Sequence, residues 1–198
     1  MRVVLATNNP GKLQELQALL TPLAFEVLPL AAFTDVAVDE SGLSFVENAI
    51  LKARHAAAAA GLPAIADDSG LEVDALHGAP GIYSARYAGD DASDTDNLTK
   101  LLAALRDVPA ARRTARYRCA LAYMRWDRDP APLICQASWE GRIIDEPRGS
   151  GGFGYDPVFE LDRGVTVAQL PAEEKNRLSH RGRALQALVA QLKSPPPC

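Results

Sequence analysis

In Ala66-Asp67-Asp68-Ser69-Gly70 two adjacent carboxylates close the short apolar run Pro63 to Ala66. Acids paired at the end of a buried strand repel each other unless a cation neutralises them. One or two carboxylates, with substrate phosphates completing the shell, form a donor set that suits Mg²⁺. Asp39-Glu40 upstream could supply another oxygen. The plainer alternative is an Asx-turn in which Asp68 caps backbone. A second segment, Thr7-Asn8-Asn9-Pro10-Gly11-Lys12, stands where a strand hands over to a helix. The N–H groups and dipole of a helix N-terminus suit an anion, and Lys12 adds a point charge. It is not a P-loop, since no Ser or Thr follows Lys12. A capped helix with a solvated lysine is the competing reading.

Gly149-Ser150-Gly151-Gly152-Phe153-Gly154-Tyr155-Asp156 contains a literal GxGxxG. A dinucleotide-binding turn is excluded, because Asp156-Pro157 and a strand follow where a helix should open. An aromatic between glycines suits stacking of a planar ring while backbone amides reach its edge; a plain flexible loop is the alternative. In Glu174-Lys175-Asn176-Arg177-Leu178-Ser179-His180-Arg181-Gly182, the side chains of Lys175, His180 and Arg181 bring several donors near a helix start. A cationic helix surface would have the same composition.

These segments need elements to position them. Arg2 to Ala6 reads as a strand, and Asn9-Pro10 as N-cap and first residue of a helix with Leu13, Leu16, Leu19 and Leu20 on one face. Phe25 to Leu30 reads as a second strand. Ser44-Phe45-Val46-Glu47 is a capping box opening a helix that ends at Gly61, with Val46, Ile50, Ala53 and Ala57 inward. Asp94 to Leu105 is a third helix. Ala115 to Arg125 and Pro132 to Glu140 flank a turn at Asp127-Arg128-Asp129-Pro130 and form a hairpin. A short strand near Val158 and one last helix, Glu173 to Leu192, complete an α/β fold with a mixed central sheet flanked by helices. One domain is expected over residues 1–193, with a proline-rich tail at 194–198.

The chain has 198 residues and a net charge of −4, with 47% hydrophobic and 23% charged residues. That is ordinary globular composition. Without a basic face, nucleic acid and anionic membranes are excluded as bulk partners, while a local positive cluster still suits an anionic small molecule. The opening MRVVLATNNPGK carries one basic residue and an apolar run too short for a leader, so a cytoplasmic protein is expected. Cys119, Cys135 and Cys198 lie far apart with no CxxC, and read as reduced thiols.

Taken in order, Thr7-x-Asn9-x-x-Lys12, Ser44-Phe45-Val46-Glu47-Asn48-Ala49, Ala66-Asp67-Asp68-Ser69-Gly70-Leu71, Gly78-Ala79-Pro80-Gly81, Gly152-Phe153-Gly154-Tyr155-Asp156 and Ser179-His180-Arg181 form a jointly specific series. The sequence resembles the inosine/xanthosine triphosphate pyrophosphatase family over residues 2 to about 192. The resemblance implies Mg²⁺-dependent hydrolysis of ITP, dITP and XTP to the monophosphate and pyrophosphate. It also implies two lobes with a cleft between them, and a homodimer.

By motif, Thr7, Asn8, Asn9, Pro10, Gly11 and Lys12 should hold phosphates. Asp68 should be the catalytic carboxylate and a metal ligand assisted by Glu40, and Ser69 should touch substrate. Phe153, Gly154, Tyr155, Asp156, Lys175, His180 and Arg181 should shape the base pocket. Relatives often have glycine where Asn8 stands. A donor-lined pocket would accept a 6-oxo purine and meet the adenine amino group donor to donor, at about 1–3 kcal/mol for each unpaired buried group. Two other readings are weaker. A Maf-type pyrophosphatase is disfavoured by the Ser-His-Arg and Phe-Gly-Tyr-Asp segments. A non-catalytic nucleotide-binding module would not need Glu40, Asp67 and Asp68.

Overall fold

The early strands carry nearly continuous apolar runs, and the two-residue period of a strand sends alternate side chains to the two faces of a sheet, each covered by helices. The computed structural model describes residues 2–7, 9–21 and 25–193. The phosphate-binding role expected of Asn8 and the tail at 194–198 therefore lie outside the described residues. Two compact units form: Met1–Asp68, Cys119–Ala137 and His180–Cys198 in the first, Ser69–Arg118 and Ser138–Ser179 in the second.

The first unit holds β1 (Arg2–Leu5), α1 (Pro10–Leu20), β2 (Glu26–Pro29), α2 (Phe45–Ala60) and the start of β3 (Ala64–Val73). β1 pairs in parallel with both β2 and β3, so each crossover is a helical connection. Val3, Leu5, Ile65, Cys119 and Leu121 face Leu16 and Leu20 of α1. They also face Leu185 and Leu188 of α5 (His180–Lys193). The alternate residues Val4, Ala6, Ala64, Ala66 and Ala120 face Ala49, Ala53, Ala56 and Ala57 of α2. Alanine on both sides lets α2 lie close to the sheet. Its buried face is rotated from the expected one: Val46 and Ile50 are half-buried at the margin, and Asn48 is fully buried.

The second unit packs α3 (Asp94–Ala104), β6 (Phe159–Glu160) and α4 (Ala172–Leu178) around Leu71, Leu101, Tyr117, Trp139 and Phe159. β4 (Thr114–Met124) and β5 (Leu133–Ile143), like β3, continue from one unit into the other. The strand order is β2-β1-β3-β4-β5-β6, with β6 antiparallel to β5, which makes the sheet mixed as the sequence implies. β4 and β5 are neighbours joined through 125–132, where buried Asp129 accepts from Arg125 and the Ala131 N–H.

Several local expectations need correction. β3 does not end before the acids but runs unbroken through Asp67-Asp68-Ser69-Gly70, so the Asx-turn is excluded. β2 stops at Pro29, and Leu30 opens a short 3₁₀ turn. In the Ser44 cap, Glu47 accepts from the Leu43 N–H and the Ser44 hydroxyl. The single last helix is two: Ser179 closes α4 by donating to the Lys175 carbonyl, then turns extended (φ −65°, ψ 158°). Among the described residues no helix is long and apolar enough to cross a membrane.

Candidate active site

Because side chains alternate along a strand, Asp67 and Asp68 point to opposite faces of β3 and take different hydrogen-bonding partners. Asp67 lies on the Ile65 face, towards α1 and α5. Its Oδ2 is 3.2 Å from Lys12 Nζ and 3.3 Å from Arg181 Nε. Arg181 also pairs with Glu15, one helical turn beyond Lys12 on α1. Burial acts to raise the Asp67 carboxyl, but Lys12, Arg181 and Lys52 outweigh it and hold the group well below the usual carboxylate range. Asp67 is an ionised, fully buried anchor for two cations.

Asp68 lies on the Ala64–Ala66 face, towards α2. Its Oδ1 accepts from Lys52 Nζ at 2.6 Å, and the same ammonium stands 3.5 Å from Glu40 Oε1. The Asp68 Oδ2 is buried with no hydrogen-bond partner among the described residues. Burial raises the Asp68 carboxyl above its ordinary value despite the opposing pull of Lys52. Burial also acts to lower the Lys52 ammonium, yet Asp68, Asp67 and Glu40 together raise it. Adjacent in sequence, the two acids are shifted in opposite directions: Asp67 is held well below the usual carboxylate range, and Asp68 is raised above its ordinary value.

An unpartnered carboxylate oxygen beside a second carboxylate fits a hard divalent cation. Among the described residues no group of three His, Cys, Asp or Glu forms a protein-only cage. Mg²⁺ is commonly held by one or two carboxylates plus substrate phosphates, and Asp68 with Glu40 matches that pattern. On the other face, Asn9 caps α1 by accepting from the Lys12 N–H at 3.1 Å, and Thr7 Oγ1 accepts from the Asn9 N–H at 3.2 Å. Pro10 occupies the first turn of α1, where its missing N–H costs nothing, and Gly11 follows it.

In the second unit, Asp156 organises the glycine loop. It is 4% exposed, and accepts from Tyr117 Oη, the Phe153 N–H and Lys175 Nζ at 3.0, 2.9 and 2.7 Å. A side chain at Gly152 (φ 74°) would run into that carboxylate, with a Cβ 2.0 Å from Asp156 Oδ2. The Gly154 N–H donates to Asp94 Oδ2 at 2.7 Å. Half-buried Phe153 has Lys175 Nζ 4.4 Å from its ring centroid. Tyr155 is a core residue: its hydroxyl donates to the Ser84 carbonyl, and burial pushes its phenol up. Ser69 is half-buried on β3 in the same unit.

The segment expected to gather Lys175, His180 and Arg181 is divided. Lys175 belongs to α4 in the second unit, while His180 and Arg181 begin α5 in the first. Both α5 residues are buried, and the Arg181 guanidinium is engaged by Glu15 and Asp67. Sequence reasoning missed Lys52, Glu15 and Asp94. Lys52 carried a faint signal, four residues after Asn48 on the inward side of an alanine-rich helix. Glu15 carried the equivalent one, an acid among the leucines of α1.

Comparisons with known proteins agree over almost the whole chain. The model of the Ham1 family matches residues 3–191. A protein of Vibrio parahaemolyticus named dITP/XTP pyrophosphatase is 57% identical over 192 residues, 96% of each chain. One of the same name from Escherichia coli K12 is 55% identical over 197 residues, 98% of each. The solved structure of a HAM1 protein from Coxiella burnetii superposes with a TM-score of 0.89 at 49% identity, covering 97% of this chain and 98% of that one. A Ham1 protein from Staphylococcus aureus gives 0.85 at 40% identity, covering 98% of both.

Proposed function

From a chain that belongs to the Ham1 family, we infer an enzyme that hydrolyses non-standard purine nucleoside triphosphates, ITP, dITP and XTP, to the monophosphate and pyrophosphate. The observation that carries the chemistry is Asp68: one oxygen held by Lys52, the other buried without a partner among the described residues, and a carboxyl that burial raises above its ordinary value. A carboxylate so placed can orient a water and accept its proton as a general base. Lys52 opposes the upward pull of burial on Asp68 and shares its charge with Glu40.

A nucleoside triphosphate carries about four negative charges, and cleavage at the α-phosphorus develops more on the departing pyrophosphate. Lys12 and the N-terminus of α1 meet that charge, with Asp67 and Arg181 fixing the ammonium. Mg²⁺, held by Asp68 and Glu40, would neutralise phosphate charge when bound. For the base, Phe153 offers a stacking face, and Lys175 offers a donor oriented by Asp156. Arg181 contributes to specificity indirectly, through Glu15 and Asp67, and His180 is the remaining candidate donor of its segment. The reading extends to a cytoplasmic homodimer, in line with the resemblance.

The test is pyrophosphate release from ITP, XTP, dITP, GTP, ATP and dTTP with and without Mg²⁺. Fast release from the first three, slow release from the rest and dependence on the metal are expected. Equal turnover of ATP and ITP would refute the specificity, and turnover unaffected by chelation would refute the metal.

A further inference from the structure

The strap Asp39 to Ser44, which carries Glu40 into α2, is fastened at two points. The Gly42 N–H donates to Asn48 Oδ1 at 2.9 Å, and the Leu43 N–H donates to Glu47 Oε2 at 2.9 Å. Gly42 lies so close to the helix that a Cβ would sit 2.6 Å from Asn48 Oδ1 and 2.7 Å from Glu47 Cβ. Contact alone therefore demands glycine here, since its φ is not in the left-handed region. Asn48 is 0% exposed, and its Nδ2 has no hydrogen-bond partner among the described residues. Leaving an amide donor buried and unpaired is costly, and the alanines around Asn48 show that an apolar residue would suit this face of α2.

Asn48 is also placed one turn before Lys52, on the same side of the helix. Lys52 is the group that Glu40 and Asp68 share. A strap free to lift off α2 would take Glu40 away from Asp68. We propose that Asn48 and Gly42 form a latch that holds Glu40 beside Asp68 and so sets the affinity for the divalent cation. Asn48 is a positioning residue, not a catalytic one. The inference rests on Glu40 and Asp68 being metal ligands.

Mn²⁺, followed by electron paramagnetic resonance with a saturating α,β-methylene analogue of ITP, reads the cation without turnover. The chains compared are wild type, Asn48→Ala, Gly42→Ala, the double variant and Glu40→Gln, each with a melting curve. Outer partners of a metal ligand are typically worth 10–100-fold in affinity, so each single variant is expected to weaken Mn²⁺ roughly tenfold. The double variant should be no weaker than either single, because both break one latch. Raising Mg²⁺ should restore kcat in both.

If Asn48→Ala does not fold, Gly42→Ala carries the test from the strap side. Glu40→Gln separates the two levels of the reading. Unchanged Mn²⁺ binding in Glu40→Gln overturns the metal assignment. Weakened binding there with wild-type binding in Gly42→Ala and Asn48→Ala overturns the latch, as do losses that add in the double variant. A lower melting temperature with unaltered Mn²⁺ affinity would make Asn48 a structural staple and nothing more.

Discussion

Replacing each of the adjacent acids by its amide should affect stability very differently. Asp67→Asn removes the counter-charge of Lys12 and Arg181, which approach it at 3.2 and 3.3 Å. Breaking a buried pair from one side costs about 3–5 kcal/mol. Arg181 keeps Glu15, and Lys12 is not wholly buried (17% exposed), so about 2–3 kcal/mol is expected here. In a chain of this length that lowers Tm by roughly 5–10 °C.

Asp68 behaves oppositely, because its folded carboxyl is raised by burial. Its ionisation opposes folding above the ordinary carboxylate range, and Asp68→Asn removes that opposition. Tm at pH 7 should stay within about 2 °C of wild type or rise. The pH dependence carries the same signs. Asp67 is depressed in the fold, so its contribution is present above the unfolded value of about 3.9 and is lost as pH falls below it. The Asp67→Asn deficit should be flat from pH 5 to 8 and shrink below about pH 4. Melting curves across pH 3 to 8 for wild type and both variants decide the matter. Equal losses of Tm at pH 7 would refute the opposite shifts assigned to the two acids.

Asp68→Asn should also lower kcat for ITP by roughly 10²–10⁴-fold while leaving nucleotide binding nearly intact, checked by steady-state kinetics and calorimetry. Lys52→Met should move the acidic limb of the pH–rate profile upward, since Asp68 then loses the charge that opposes its burial; an unmoved limb would remove Lys52 from the reaction. Phe153→Ala should raise KM for ITP and XTP alike, by about 1–3 kcal/mol of lost stacking, with little change in melting temperature because the ring is only half-buried. In a Cys198→Ser chain the remaining thiols should resist iodoacetamide at pH 8 until the protein is unfolded, as burial pushes Cys119 up to about 12 and raises Cys135. Mass spectrometry of native and denatured samples reads the result.

What could be read in the sequence was whatever is local. The Asn9-Pro10 cap, the Ser44 cap, the apolar run of β1 and the turn at Asp129 are set by neighbours a few residues apart. The motifs singled out Asp68, Glu40 and Lys12, but gave no partners. Partnership here is long-range: Arg181 reaches Asp67 and Glu15, and Lys52 reaches Asp68, through helices on opposite faces of β3. No spacing rule announces such pairs. The acids looked like one mutually repelling pair only because their run was read as the end of a strand. Once β3 is seen to continue to Val73, the two-residue period separates them.

The break at Ser179 shows the same limit from the helix side. Residues 173–192 have a nearly continuous helical pattern, with no proline or glycine at the position where the helix ends. Local propensity favours one helix, and packing makes two. Leu178 is packed with the second unit's core, whereas Ala184, Leu185 and Leu188 lie in the first unit's. The extended backbone of Ser179 closes α4, and the unit boundary falls between Ser179 and His180. That boundary separates Lys175, tied to Asp156 beside Phe153, from Arg181, tied to Asp67 beside Lys12. Lys175 and Arg181, donors of one short motif, thereby belong to different units, a division that composition and spacing could not express.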